Sequence, residues 1–202
     1  LLRPTLGRFP WPRDAWEPLV QYLSAGGARA IGFDFTFPDP DLANLAADSV
    51  FADASRAAGN VVQTLTFGRV LDTAAVRAQA GFREDTAALA RLRDFGYDVP
   101  LLPGDSEYQT VIHPYRALLE SSRALGAINY TPDPVDGTAR RSPLLYRFRG
   151  RTYPTLGLAV AMAADTARFA GGPLQLSPNA LRFAQLTVPL DGGTFFLNWR
   201  GP

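Results

Sequence analysis

The chain contains no cysteine and no lysine, and it has one histidine and one methionine in 202 residues. Without cysteine there are no disulfides, no thiolate catalysis and no cysteine-ligated zinc. Without lysine there is no Schiff base and no lysine of a phosphate-binding loop, since all 20 basic residues are arginine. That bias is one that genomic base composition imposes. The lone His113 excludes a histidine-cluster metal site, and its position before Pro114 suits a surface loop better than a general base. No apolar run approaches the roughly 20 residues needed to cross a bilayer. The best, "LGLAVAMAA" at 156–164, is too short, and neither an initiator Met nor a signal peptide precedes "LLRPTLGRFPWPR". A net charge of +1 gives no field that would draw nucleic acid. No Gly-x-Ser-x-Gly elbow and no Gly-Lys-Ser/Thr loop occurs.

What is present is a folded composition: 47% apolar and 19% charged residues, enough chain for a sizeable core. "PWPRDAWEPLVQYLSAGG" reads as a helix, with Trp16, Leu19, Val20 and Leu23 on one face and two glycines as its stop. "RAIGFDFTF" is expected to be a strand over 29–36, covered on both faces. A helix over "DLANLAADSVFADASRAAG" and a second strand, "NVVQTLTF", follow, so the two strands are expected to be parallel neighbours. "DTAALARLRDFG" and "PYRALLESSRALG" read as helices, and "AINYT" as a strand. "TARRSPLLYRFRGRTYP" reads as a hairpin with Gly150 at its tip, "TLGLAVAMAADTARFAGG" as a helix, and the tail as a hairpin turning at Asp191-Gly192-Gly193. The fold expected is one mixed α/β domain: parallel β-α-β units, then antiparallel hairpins. Its core should include Ile31, Phe33, Val61, Val62, Leu65, Ile128 and Leu144.

Chemistry rests on the aspartates of "IGFDFTFPDPD". Asp39 and Asp41 follow prolines and suit the cap of the next helix. Asp34 stands in an apolar strand, where a carboxylate must be paired, hydrogen-bonded or facing a cleft. A ligand role and an ion pair with Arg140 or Arg141 both stay open. Threonine at position 36 removes the second acid that a phosphoaspartate phosphatase requires. Arg147, Arg149 and Arg151 alternate and are expected on one solvated strand face.

"LGRFPWPRDAWEPLVQYLSAGGARAIGFDFTFPDPD", "AAGNVV", "LGAINYTPDPVDGTARRSPLLYRFRGRTYPTLGLAVA" and "FLNWRGP" come in an order that resembles the CHASE-type extracellular sensory domain, second type. The resemblance implies a non-catalytic sensor segment on the periplasmic or extracellular face of a bacterial membrane. It implies flanking membrane helices, and an output module that is commonly a nucleotide cyclase or a protein kinase. It implies no cofactor and no metal, a small-molecule signal as partner, and a homodimer as one possible assembly. Family members carry strands before and after the segment present here. Residues 1–202 are therefore expected to be incomplete at both ends, with Leu1, Leu2, Phe196 and Trp199 covered by other chain. The ligand is expected at the carboxyl ends of the parallel strands, near Asp34, Phe37, Thr66, Asn129 and Tyr130, with Arg141 as an orienting charge. Two other classes compete: a metal-assisted hydrolase using Asp34, Asp39 and Asp41, and a dimerisation module that binds nothing small.

Overall fold

A computed structural model describes residues 10–69, 85–100, 102, 107–129, 132–133, 135–170 and 173–197. One 3₁₀ turn, Arg13–Ala15, leads into α1 (Trp16–Ala25). Pro18 falls in the first turn of α1, where its missing N–H has no helical partner to lose. β1 (Ile31–Gly32) runs parallel to β2 (Val61–Gly68), with Ile31 opposite Val61, and α2 (Leu45–Ala58) crosses between them. After α3 (Thr86–Asp94), β3 (Thr110–Ile112) pairs antiparallel with the end of β2. α4 (Arg116–Ser121) then precedes β4 (Ala124–Ala127), which lies parallel to β2 on the side away from β1.

Strand alternation sorts this sheet into two faces. Gly32, Val62, Thr64 and Gly126 share one face, on which α5 (Leu156–Ala164) lies. Helix and sheet approach closely because glycine stands at both crossings. A Cβ on Gly126 would come within 2.4 Å of Leu156 Cα, and one on Gly32 within 2.7 Å of Val160 Cγ2. Ile31, Val61, Gln63, Leu65 and Leu125 share the other face, against α1, α2 and α4. There Trp16, Val20, Phe51 and Leu118 pack on Ile31 and Val61, while Leu92 and Leu119 pack around Leu65 and Leu125. The result is helix, sheet, helix.

The remaining strands are antiparallel. β6 (Leu145–Phe148) and β7 (Arg151–Pro154) form a hairpin. Its turn residues Arg149 and Gly150 have φ of 46° and 74°, the pair of positive values that a two-residue turn needs. β8 (Gln175–Ser177), β9 (Ala180–Arg182) and β10 (Thr187–Pro189) form a meander, reached from α5 through α6 (Thr166–Phe169). β11 (Thr194–Phe196) pairs with β5 (Arg141–Pro143).

The mixed single-domain reading holds, and five local expectations are corrected. The strand expected over 29–36 ends at Gly32, because Phe33, Phe35 and Phe37 all turn onto Trp16, with ring centroids 5.6, 5.0 and 5.9 Å away. Three rings of one strand face cannot reach one indole from a flat ladder. Secondly, the strand read at "AINYT" begins three residues earlier, at Ala124. Ser121 and Ser122 fold their hydroxyls onto the Leu118 carbonyl and end α4 at Ser121. Thirdly, the tail does turn at Gly192-Gly193, but β11 leaves β10 for β5. Fourthly, the long helix from Leu156 breaks at Asp165, which caps α6. Lastly, Arg147 and Arg151 lie on opposite faces, since the hairpin sets Arg147 against Thr152 and Arg151 against Phe148. Neither is simply solvated: Arg147 donates to the Val99 carbonyl and Arg151 to that of Gly96. Of the expected core, Ile31, Phe33, Val61, Val62 and Leu65 are buried. Ile128 and Leu144 are half-buried.

Candidate functional site

The carboxyl ends of β1, β2 and β4 bring together part of the expected site. Asn129 extends the β2–β4 ladder with its side chain: Oδ1 accepts from Phe67 N at 2.8 Å, and Nδ2 donates to Phe67 O at 2.7 Å. Thr66, next to Phe67, faces Ile112 of β3. Tyr146 Oη donates to the Asn129 carbonyl, and burial pushes this phenol up to about 12. Asn129 therefore holds strand to strand, and its amide groups are engaged.

Asp34 lies beyond the end of β1, exposed, with no hydrogen bond or ion pair to any described residue. The expected pairing with Arg141 is not formed. Arg141 stands on β5, 2.5 Å from an Asp191 carboxylate oxygen and 4.0 Å from the centroid of Phe196. Arg140 is taken as well, by Asp133 and Asp136. Phe37 is buried in the aromatic cluster and is not a cleft wall. Tyr130 lies outside the described residues, as do Leu1, Leu2 and Trp199.

Asp39 and Asp41 do not cap α2. Asn44 does, its side chain accepting from Ala47 N, while Asp41 accepts from Ala43 N in the turn before it. The dipeptide Leu42-Ala43 sets the helix three residues further on than the prolines suggest. Beneath this turn lies a charged cluster not expected from the sequence. Asp48, on the buried stripe of α2 with Phe51, Ala52 and Ser55, accepts from Asp41 N at 2.6 Å. Its Oδ1 makes no hydrogen bond and sits 3.5 Å from Arg13 Nε. Arg13 also lies 4.5 Å over the ring of Phe37 and donates to the Asp39 carbonyl. Tyr115 Oη donates to the Asp48 carbonyl, and burial together with the Asp48 charge pushes its phenol far above the ordinary value. This cluster holds the chain at Phe37, Asp39 and Asp41, between β1 and α2. An acid at helical spacing from three buried residues was the readable signal.

Cavities open at the opposite, amino end of β4. One of about 220 Å³ is bounded by Gly96, Tyr97, Arg123, Pro154 and Ala159. A more open one of about 290 Å³ adjoins it across Tyr97, Arg123, Ala124 and Met162 and reaches Phe169. Burial raises the Tyr97 phenol above its ordinary value, with the Arg123 charge pulling against it. Among the described residues, no group of three His, Cys, Asp or Glu side chains could hold a metal ion, so Asp34, Asp39 and Asp41 form no such site. No described helix is long and apolar enough to cross a membrane.

The family model described as the CHASE2 domain matches residues 2–202. The chain belongs to the CHASE2 domain family. CHASE2 domains are sensory, non-catalytic modules of signalling receptors, and their place in those receptors is extracellular. No curated protein and no solved structure matches the chain. The CHASE2 match spans the charged cluster around Asp48 as well as both ends of the parallel sheet.

Proposed function

We propose that this CHASE2 domain is the extracellular or periplasmic signal-recognition segment of a bacterial transmembrane receptor. Its output module is a cytoplasmic nucleotide cyclase or protein kinase, and flanking helices carry the signal across the membrane. The observation behind this reading is the family match over nearly the whole chain. Of the residues proposed to meet the signal (Asp34, Phe37, Thr66, Asn129, Tyr130 and Arg141), Asp34 is the best placed. It is an exposed carboxylate at the strand ends with no partner among the described residues, between Phe33 and Phe35, whose rings pack on Trp16.

A ligand shifts a receptor only if it binds one arrangement better than another. In the full-length receptor, Asp34→Ala should change cyclase or kinase output while expression and membrane insertion stay intact. Wild-type output from a well-expressed Asp34→Ala receptor removes Asp34 from the site.

A dimerising role has one observation in its favour: Leu42 and Leu45, before and at the start of α2, are 86% and 57% exposed. Charged substitutions at both positions should leave a monomer where sedimentation of the wild-type receptor shows a dimer.

A further inference from the structure

The parallel sheet does not continue evenly into the β6–β7 hairpin. β4 meets the chain just after β7 at one bridge, Ala127 to Thr155, and among the described residues no ladder joins the start of β4 to β7. There the edge of β7 is taken by Tyr97, whose N–H and carbonyl both bond to Thr152. The gap between this segment, the start of β4 and α5 is the pair of adjoining cavities.

Their shared wall carries the polar chemistry. Arg123, immediately before β4, is exposed and makes no side-chain hydrogen bond or ion pair with a described residue. It shares both cavities with Tyr97, whose hydroxyl is a donor at neutral pH. The acid on the rim, Asp94, is already paired with Arg91 at 2.9 Å. Nearby helix ends do not consume Arg123 either, because the Ala164 carbonyl at the end of α5 accepts from Arg29 instead. The apolar part of the lining is Pro154 and Ala159 in the narrower cavity, Met162 between the two, and Phe169 in the wider one, where Thr166 adds a hydroxyl. A space of about 150 Å³ is enough for a benzene ring, so the narrower cavity of about 220 Å³ has room for a ring and a short arm.

We infer that this cleft is a binding site for a small monocarboxylate with one aromatic ring. The ring enters between Pro154, Ala159 and Met162, and the carboxylate lies between the Arg123 guanidinium and the Tyr97 hydroxyl. Two donors converging on an anion beside an apolar floor select a charged head and an apolar body together. The site stands at the amino end of β4, away from Asp34, and binding there is tested separately from any role of Asp34 in output.

The test is equilibrium binding of radiolabelled phenylacetate to the full-length protein in detergent. Three competitors are unlabelled phenylacetate, its neutral amide and inorganic phosphate. Saturable binding is expected, displaced by phenylacetate and not by the amide, with phosphate a poor competitor. Arg123→Gln changes an exposed side chain and should keep the wild-type thermal midpoint while weakening binding about tenfold or more. Tyr97→Phe should weaken it less. The inference is overturned by absence of saturable binding, by equal affinity in Arg123→Gln, or by phosphate competing as well as phenylacetate.

Discussion

Replacing Asp48 by alanine should cost the domain about 3 kcal/mol, at the lower end of the roughly 3–5 kcal/mol for removing one partner of a buried ion pair. The structure sets the figure in two steps. The Asp48 side chain is 7% exposed and that of Arg13 18%, so the guanidinium left behind keeps a little water but no counter-ion. The Asp41 N–H, 2.6 Å from the lost carboxylate, must find water at the same time. For a chain of this size a loss of about 3 kcal/mol lowers the thermal midpoint by about 6–12 °C. Urea unfolding followed by tryptophan fluorescence reports the change directly, since Trp16 is in the cluster that Arg13 covers. The double variant Arg13→Met/Asp48→Leu should lose less than the two single variants together, because neither charge is then left unpaired. A loss below about 1 kcal/mol for Asp48→Ala, the range of an exposed pair, would refute the burial argument. Full additivity in the double variant would do the same.

Gly126→Ala should destabilise by about 1–3 kcal/mol, since its Cβ would meet the Leu156 backbone at 2.4 Å; an unchanged urea midpoint would mean α5 can lift off the sheet freely. Asn129→Ala removes both bonds to Phe67 and should cost about 1–3 kcal/mol, with faster amide exchange at Phe67 as the local sign. In alkali, burial holds Tyr146 and Tyr153 up to about 12 against the ordinary 10.0. The folded state keeps those protons more tightly, so their stabilising effect is whole below pH 10.0 and is lost as pH rises toward about 12. Ultraviolet titration of phenolate should show these tyrosines ionising late, together with unfolding; a single midpoint near 10.0 in the folded domain would contradict it.

The periodicities of the chain were sufficient for the frame. "NVVQTLTF" reads as a strand, and it is the centre of the sheet, with 61 and 62 fully buried. The start of α3 was legible for a local reason, as Asp85 caps it within two residues. The limits of β1 were not legible. Alternating phenylalanines look the same whether they cover a sheet or converge on one indole, and only the position of Trp16 decides between the two. The Arg147–Arg151 alternation failed for a similar reason, since a two-residue turn resets which face a side chain takes.

The candidate site divides the same way. Sequence alone placed Asp34 near the end of the first strand and Gly32 within it, but it took Gly126 as the end of a helix, where the structure has it in β4. Asp48 falls inside the helix expected over 41–59, but its burial and its pairing were not read from the sequence. Which charge meets which was a tertiary decision: Arg141 goes to Asp191, Arg140 to Asp133 and Asp136, and Arg13 to Asp48. Ion pairs form between residues 50 and 35 positions apart as readily as between neighbours, because the chain path, and not sequence distance, brings charges within reach. The cavities beside Tyr97 and Arg123 arise where, among the described residues, no ladder joins the start of β4 to β7, a gap that exists only once two separate strands have been laid side by side.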